Sequence, residues 1–242
     1  MSFTEKKFSG LSKLNRYKKT AYIIKEHISG NSTANSPEEI IIWFNKYENE
    51  NYSIPEKKYD WGLLAEILLQ KIEDFSAYNE NNSFDNSIRI KNESGISLLL
   101  DNIRSPYNTG AIIRTAEALG VDEVILSGIT PGLDNSKAKR TSMNSQITVS
   151  HHKNPIEIIQ KFRQQNYKIV SIEKNIHSID IANNVFSEKK LIIFGNEEFG
   201  ISDEILEISD KIYHIELKGN KNSLNVSVAS GIALYEIVKN KP

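Results

Sequence analysis

The chain of 242 residues contains no cysteine. This absence excludes disulfide bonds and thiolate metal sites, and it suits a reducing compartment. No apolar stretch approaches the roughly 18 to 20 residues that a membrane-spanning helix needs, and the lysine-rich N-terminus lacks the apolar core of a signal peptide. The sequence therefore predicts a soluble cytoplasmic protein with no membrane segment, long enough for one large or two modest domains.

Several common ligand-binding motifs are also absent. No glycine-rich dinucleotide fingerprint follows the first apolar strand, and the chain has no Walker-type phosphate loop. No group of residues has the spacing of metal ligands, and the adjacent His151 and His152 would point apart on a strand. The sequence therefore predicts a protein that works without a bound metal.

The charge is nearly balanced overall but unevenly distributed. The formal net charge is −1, yet residues 1–30 carry seven lysines and arginines against two glutamates. Phe8, Tyr17 and Tyr22 are interleaved with these cations. Such a stretch suits phosphate contact combined with base stacking, and it equally suits a solvated amphipathic helix. Both interpretations stay open at this stage.

Residues 1–93 have the pattern of a smaller, mainly helical N-terminal region, a possible RNA-binding extension. Apolar residues recur at helical spacing near the start, and Ser36 followed by Pro37 is typical of the beginning of a second helix. The polar run over residues 79–87 indicates a linker. We place the domain boundary near residue 93.

From residue 94 to residue 242, strand and helix patterns alternate. This alternation predicts an α/β domain with a mostly parallel sheet covered on both faces. Strands are predicted at Ile96–Leu100, Glu123–Leu126, Lys168–Ile172, Leu191–Phe194 and Lys211–Leu217. Helices are predicted at Thr109–Leu119, Pro155–Gln165, Asp203–Ile208 and Val226–Val238.

Three segments of this region place polar residues at strand ends and helix starts. Asp101 to Gly120 follows a buried strand and turns at Pro106 into a helix. Leu191 to Gly200 is an apolar strand that opens into a loop bounded by two glycines, which permit close backbone approach to a ligand. Lys218 to Ser230 alternates serine and asparagine with apolar residues into a helix start, where such side chains bond backbone amides or a ligand.

These three segments, in this order, resemble the signature motifs of the SpoU (TrmH-type) family of SPOUT RNA 2′-O-ribose methyltransferases, over about Ile96 to Val238. The resemblance implies a C-terminal trefoil knot, a homodimer, and methyl transfer from S-adenosyl-L-methionine to a ribose 2′-hydroxyl of tRNA or rRNA. Two departures are visible: Glu216 follows Ile215 where the family usually has proline, and Asn144 stands where a middle segment of the family often has glycine.

The resemblance also implies catalytic roles for five residues. Arg114 is expected to activate the 2′-hydroxyl, and it follows Asn108 by six positions, close to two helical turns, which predicts nearly the same helix face. Glu197 is expected to orient Arg114 or Asn108, and Ser223 and Asn225 to position the ribose and the arginine. For Asn108, Glu197, Ser223 and Asn225, a purely structural capping role is the alternative.

The resemblance assigns the cofactor site by motif position to Gly195, Ile215 and Leu224, with main-chain groups and apolar walls around the adenine and methionine parts. The helix from Val226 is apolar around most of its circumference, which suits burial on two sides and a dimer interface. Two other functions stay open: a catalytically inactive RNA-binding protein of the same fold, and a nucleotide-binding α/β domain without an RNA partner.

Overall fold

The computed structural model describes residues 3–31, 33–77, 93–182 and 184–240. The chain divides into two compact units, Met1–Ser83 and Phe84–Pro242. The predicted linker over residues 79–87 lies outside the described residues, and the boundary near residue 93 stays a prediction.

The described part of the N-terminal unit is helical. Its helices are α1 (Glu5–Ser9), α2 (Lys13–Ile28), α3 (Pro37–Glu48) and α4 (Lys58–Ala77). The predicted start of α3 is confirmed, because the Ser36 side chain accepts a hydrogen bond from the Glu39 amide and Pro37 occupies the first turn. The core of this unit is rich in aromatic side chains, including Phe8, Tyr17 and Trp61.

Two aromatic residues of the basic stretch (residues 1–30) contribute to this core. Phe8 and Tyr17 are buried, whereas Lys18 is exposed. Two of the cations are paired with acids: the Arg16 guanidinium bonds the Glu48 carboxylate, and the Lys25 ammonium lies 2.9 Å from the Glu66 carboxylate. The amphipathic-helix interpretation therefore describes α2, and a role in RNA binding stays a prediction.

The described part of the C-terminal unit contains a seven-stranded sheet with strand order β3-β2-β1-β6-β4-β7-β5. Every strand pair is parallel, so the predicted parallel sheet is confirmed. The strands are β1 (Ile96–Asp101), β2 (Glu123–Ser127), β3 (Thr148–His152), β4 (Lys168–Ile172), β5 (Ile179–Asp180), β6 (Lys190–Phe194) and β7 (Lys211–His214). The helices are α5 (Pro106–Ala118), α6 (Ser136–Thr141), α7 (Pro155–Gln164), α8 (Asp203–Glu207) and α9 (Val226–Lys239).

Helices cover both faces of the sheet. Because successive strand residues point to opposite faces, Leu98 of β1 belongs to the core formed with α5 and α9, whereas its neighbour Leu99 belongs to the core formed with α7 and α8. The central strands β1 and β6 are buried along their whole length, which explains their continuous apolar sequences.

Four differences from the predicted elements have physical reasons. β7 ends at His214 instead of Leu217, because its neighbours β4 and β5 pair with it only as far as Tyr213 and His214. Ile215 therefore lies beyond the last strand. The sequence analysis did not predict β3, β5 or α6: β5 has two residues, β3 is a half-exposed edge strand, and α6 buries only Ala138. The trefoil knot stays a prediction.

Candidate active site

The site lies where β1 and β6 end. These strands are parallel neighbours, with Leu100 paired to Phe194. Residues 102–105 lead from β1 into α5, and residues 195–200 form the glycine-bounded loop after β6. Because parallel strands bring their carboxyl ends to one edge of the sheet, the two connections lie side by side, where α/β folds bind ligands.

Asn196 holds the glycine-bounded loop in shape. Its side-chain Nδ2 donates to the Asn102 carbonyl oxygen at 2.7 Å. Its Oδ1 accepts from the amides of Glu198 and Phe199 at 2.9 and 3.1 Å. This buried side chain was missed in the sequence analysis, although an asparagine directly after a glycine is typical of a side-chain-stabilised turn.

The Glu197 carboxylate binds the N-terminus of α5. It accepts hydrogen bonds from the amides of Arg104 and Ser105 at 2.8 and 3.0 Å, and from Asn108 Nδ2 at 2.8 Å. A negative charge is favoured at a helix N-terminus. Glu197 was predicted to orient either Arg114 or Asn108, and in the structure its carboxylate bonds Asn108. Within the described part of the chain it makes no bond to Arg114.

A relay of side-chain amides continues from α5 to α9. Asn225 Nδ2 donates to Asn108 Oδ1 at 3.1 Å. Asn225 Oδ1 accepts from the Ser227 amide at 2.8 Å and from Ser227 Oγ at 2.6 Å, and so caps α9. Because Asn108 presents its NH₂ to a carboxylate, its oxygen must face Asn225. Glu197, Asn108 and Asn225, which we call the carboxamide relay, thus join the three motif segments.

Arg114 lies on a different face of α5 from Asn108, so the same-face prediction was wrong. Six helical residues turn through about 600°, which is about 120° short of two turns. Asn108 is half-buried against Glu197, whereas Arg114 is exposed together with Tyr107 and Ala118. Among the described residues, no hydrogen bond or ion pair involves the Arg114 guanidinium. This planar cation is free to accept a phosphate or carboxylate.

A cavity of about 490 Å³ borders the glycine-bounded loop. Gly195, Ile215 and Leu224 all line it, together with Ser223 and Glu197. The structure thus brings the three proposed cofactor residues together. Asn108, Arg114 and Asn225 do not line the cavity. Ser223 is exposed and, unlike Asn225, forms no cap for α9.

The position of Gly195 admits no side chain. A Cβ atom there would lie 2.4 Å from the Gly200 carbonyl oxygen and 2.6 Å from the Ile201 amide nitrogen. Glu173 also lines the cavity, and its carboxylate accepts a hydrogen bond from the Ile201 amide at 3.1 Å. A backbone-lined cleft of this volume, with apolar walls and a few polar groups, fits a nucleoside-sized cofactor.

Asp101 lies at the end of β1 beside the site. Burial raises the pKa of its carboxyl group, and hydrogen bonds from Ser127 and Asn102 offset part of that effect. Its Oδ1 accepts from Ser127 Oγ at 2.7 Å. Asp101 was not predicted as a site residue, and its side chain anchors β1 to β2.

None of the helices that the structure describes is long and apolar enough to cross a membrane. No cluster of three histidine or acidic side chains among the described residues has the geometry to hold a metal ion.

The fold and the site define a parallel-sheet α/β protein with a cofactor-sized cavity and a polar relay at the carboxyl ends of neighbouring strands. Residues 95–235 match the model of the SpoU rRNA Methylase family. The chain therefore belongs to this family, and the resemblance seen in the sequence is confirmed.

Two curated relatives have similar sequences. The chain is 34% identical over 197 residues to an uncharacterized tRNA/rRNA methyltransferase of Borreliella burgdorferi, which covers 78% of this chain and 83% of the relative. It is 31% identical over 154 residues to the tRNA (guanosine(18)-2′-O)-methyltransferase of Aquifex aeolicus, with 60% of this chain and 70% of the relative covered.

Solved structures agree with this assignment. An AdoMet-bound rRNA methyltransferase from Sinorhizobium meliloti aligns with a TM-score of 0.57 at 26% identity, over 69% of this chain and 68% of that one. The TrmH/SpoU tRNA modifying enzyme of A. aeolicus aligns with a TM-score of 0.55 at 28% identity, over 62% of this chain and 77% of that one.

Proposed function

We propose that this protein transfers the methyl group of S-adenosyl-L-methionine to a ribose 2′-hydroxyl of tRNA or rRNA, in the cytoplasm and without a metal. The observation that carries the proposal is the position of Glu197, which lines the cavity and also orients Asn108 in the carboxamide relay. One residue thus couples the cofactor cavity to α5. The names of the relatives, which include a 2′-O-methyltransferase acting on tRNA, support the same chemistry.

Gly195, Ile215 and Leu224 would hold the cofactor, whose sulfonium supplies an electrophilic methyl group when bound. The apolar walls would pack against the bound cofactor, and the backbone around Gly195 would offer hydrogen-bonding groups to the adenine. Because the carboxamide relay fixes the N-terminus of α5 against the glycine-bounded loop, the helix that carries Arg114 has a defined position in the fold.

Arg114 would activate the hydroxyl through its charge. A guanidinium stays protonated in proteins and is a poor base, but it can bind the adjacent phosphate by a forked pair of hydrogen bonds and stabilise a developing alkoxide. Ser223 and Asn225 would orient the ribose at the rim. The unpaired, exposed state of Arg114 among the described residues suits a group that awaits an anionic substrate.

The active form would be a homodimer. On α9, Val228, Ile232 and Tyr235 follow one another at helical spacing and are 49%, 39% and 55% exposed. An apolar stripe of this kind is typical of an interface, while Ala233 and Leu234 fill the core of the same chain. Because Arg114 does not line the cavity of its own chain, docking of a second copy on this surface is a direct way to bring Arg114 to a cofactor.

The test is to incubate the full chain with methyl-labelled S-adenosyl-L-methionine and total tRNA or rRNA, after calorimetric titration of the cofactor. Cofactor binding and label in RNA, both unaffected by a chelator, support the proposal. Cofactor or RNA binding without transfer would favour the catalytically inactive RNA-binding protein. If the cofactor produces neither heat nor a thermal shift and no label enters the RNA, the proposed methyltransferase activity would be excluded.

A further inference from the structure

A cluster of exposed cations lies on α6, outside the site described so far. Lys137, Lys139 and Arg140 are exposed on this helix, whereas Ala138 is buried beneath them. Among the residues that the structure describes, none of the three cations forms an ion pair. We call Lys137, Lys139 and Arg140 the α6 basic surface.

The α6 basic surface adjoins the helix that carries Arg114. A Cβ atom on Gly110 of α5 would lie 2.4 Å from the Ala138 carbonyl oxygen and 2.8 Å from Thr141 Cβ. This glycine therefore allows α6 to pack directly on α5. Further along α5, the Glu117 carboxylate accepts a hydrogen bond from the Gln146 amide.

The segment after α6 consequently runs along α5 from Gly110 to Glu117. Arg114 lies one helical turn beyond Gly110, so its exposed guanidinium flanks this segment. Met143 and Asn144 have φ values of 54° and 59°. This left-handed conformation is unusual for a residue other than glycine, although asparagine tolerates it well. The two residues follow the C-cap of α6 and change the direction of the chain before Gln146 reaches Glu117.

The charges on this side favour an anionic partner. Arg114 and the α6 basic surface contribute four cations, against one acid on α5 and one just before α6. Glu117 is already bonded to Gln146, and Asp134 precedes α6 beside Gly132. Exposed cations on neighbouring helices, at distances set by helix geometry, suit successive phosphates of a nucleic acid strand.

We propose that the α6 basic surface binds the phosphate backbone of the RNA substrate beside the nucleotide that Arg114 faces. The inference rests on the proposed function, since it takes the partner to be RNA. The RNA strand would then run along α6 and α5 towards the carboxyl edge of the β-sheet. Lys137 and Lys139 contribute affinity independent of base identity, because phosphate contacts position a nucleic acid without reading its sequence.

The test compares two double variants that each remove two positive charges. Lys137→Gln/Lys139→Gln alters the α6 basic surface. Lys161→Gln/Lys211→Gln is the matched control, since Lys161 of α7 and Lys211 at the start of β7 are also exposed but lie away from α5 and α6. Binding of total tRNA labelled with fluorescein at its 3′ end is measured by anisotropy at several salt concentrations.

The slope of log K against log salt should become shallower by about 1 for each lost phosphate contact, hence by about 2 in the α6 variant. The dissociation constant near 0.15 M salt should rise roughly tenfold, and the KM for RNA should rise with little change in kcat. Cofactor affinity should stay at the wild-type value in both variants. The control should bind RNA within about twofold of wild type.

An unchanged slope in the α6 variant, or an equal loss in the control, would overturn the assignment of this surface. If circular dichroism shows that the double variant is unfolded, the single Lys137→Gln and Lys139→Gln variants give the same comparison, each with about half the change in slope. A wild-type protein that binds RNA with the α6-dependent slope but transfers no methyl group would refute the proposed function and leave this surface intact.

Discussion

The Glu197 carboxylate and the Asn108 side-chain amide are joined by a hydrogen bond of 2.8 Å, although 89 residues separate them in the sequence. The bond ties the loop after β6 to the first turn of α5. Through Asn108 Oδ1 the connection continues to Asn225 and the N-terminus of α9. The three motif segments therefore hold one another in position. A substitution in one segment should alter the positions of the side chains in the other two.

Glu197→Ala should abolish most methyl transfer and destabilise the fold. It removes the acceptor of two backbone amides and of Asn108. Two of these donors, the Ser105 amide and Asn108 Nδ2, are part-buried, and such donors left unpaired cost about 1 to 3 kcal/mol. Urea unfolding followed by circular dichroism measures the stability loss, and single-turnover assays measure the transfer.

The neighbouring Glu198 provides the control for this experiment. It is exposed, and its bond to Arg104 at 3.3 Å lies at the surface, where such pairs contribute about 0 to 1 kcal/mol. Glu198→Ala should therefore change stability and transfer little. Equal effects of the two substitutions would mean that the carboxamide relay does not hold the site together.

Gly195→Ala should eliminate cofactor binding. The added Cβ would meet backbone atoms of Gly200 and Ile201 at 2.4 to 2.6 Å, so the glycine-bounded loop that lines the cavity must change its conformation. Gly219→Ala is the matched control, because a Cβ at Gly219 meets nothing within 4 Å. Calorimetry with S-adenosyl-L-methionine should give wild-type affinity for the control. Tight binding by a folded Gly195→Ala protein would place the cofactor elsewhere.

Charges on the exposed stripe of α9 should dissociate the homodimer. Val228→Glu/Tyr235→Glu places two carboxylates on the proposed interface, where an unpaired buried charge is costly. Ile176→Glu/Val185→Glu is the comparison, since these side chains are 92% and 75% exposed and lie outside α9. Light scattering at micromolar concentration should report a monomer for the first variant and a dimer for the second. If the wild-type protein is a monomer and is fully active, the proposal that the active form is a homodimer is wrong.

The stability of the protein should carry a pH dependence that originates from Asp101. Burial raises the pKa of this carboxyl group above its ordinary value of 3.8, so the folded state binds the proton more tightly than the unfolded chain does. This contribution to stability is therefore largest at low pH and is lost as the pH rises through the raised pKa.

Asp101→Asn removes that proton while keeping an oxygen for the Ser127 hydroxyl. The free energy of unfolding of the variant, relative to wild type, should increase from about pH 4 upward and then level off. Urea titrations of both proteins across this range give the difference directly. A difference that is constant with pH would show that Asp101 titrates with the same pKa in the folded and unfolded states.

The alternation of strand and helix patterns was enough to predict the parallel sheet, whereas the candidate site residues came from the family resemblance. Glu197 and Asn225 stand in segments whose glycines, serines and asparagines already indicate loops and helix starts. The pattern could not choose between the two predicted partners of Glu197 or give that of Asn225, because each bond joins residues some ninety or more positions apart and depends on the order of the strands. Asn196 was missed for the same reason, since its partner Asn102 lies on the neighbouring connection.

Other parts of the structure depend on packing that the sequence pattern does not reveal. The end of β7 is set by the length of β4 and β5, which leaves Ile215 beyond the strand. α6 has a single buried residue and therefore no apolar period. The exposure of Arg114 follows from which side of α5 packs on α6 and α9, whereas spacing along the helix alone suggested a face shared with Asn108.

A role of the basic N-terminal stretch in RNA binding should be tested by substitution of its exposed cations and not by deletion of the stretch. Deleting residues 1–30 would remove Phe8 and Tyr17 from the core of the N-terminal unit, so any loss of RNA binding would be confounded by unfolding. Substitution of exposed cations such as Lys18 tests the same hypothesis while leaving that core intact.

The most direct test of the account is nucleoside analysis of RNA methylated by wild-type protein and by Arg114→Ala. After incubation with S-adenosyl-L-methionine, the RNA is digested to nucleosides and separated by mass spectrometry. Wild type should yield a 2′-O-methylated nucleoside. Folded, dimeric Arg114→Ala should bind the cofactor normally and yield roughly 10²-fold less, and Arg114→Lys should restore little because an ammonium lacks the planar fork. Methyl groups found only on bases, or near wild-type transfer by Arg114→Ala, would contradict the account.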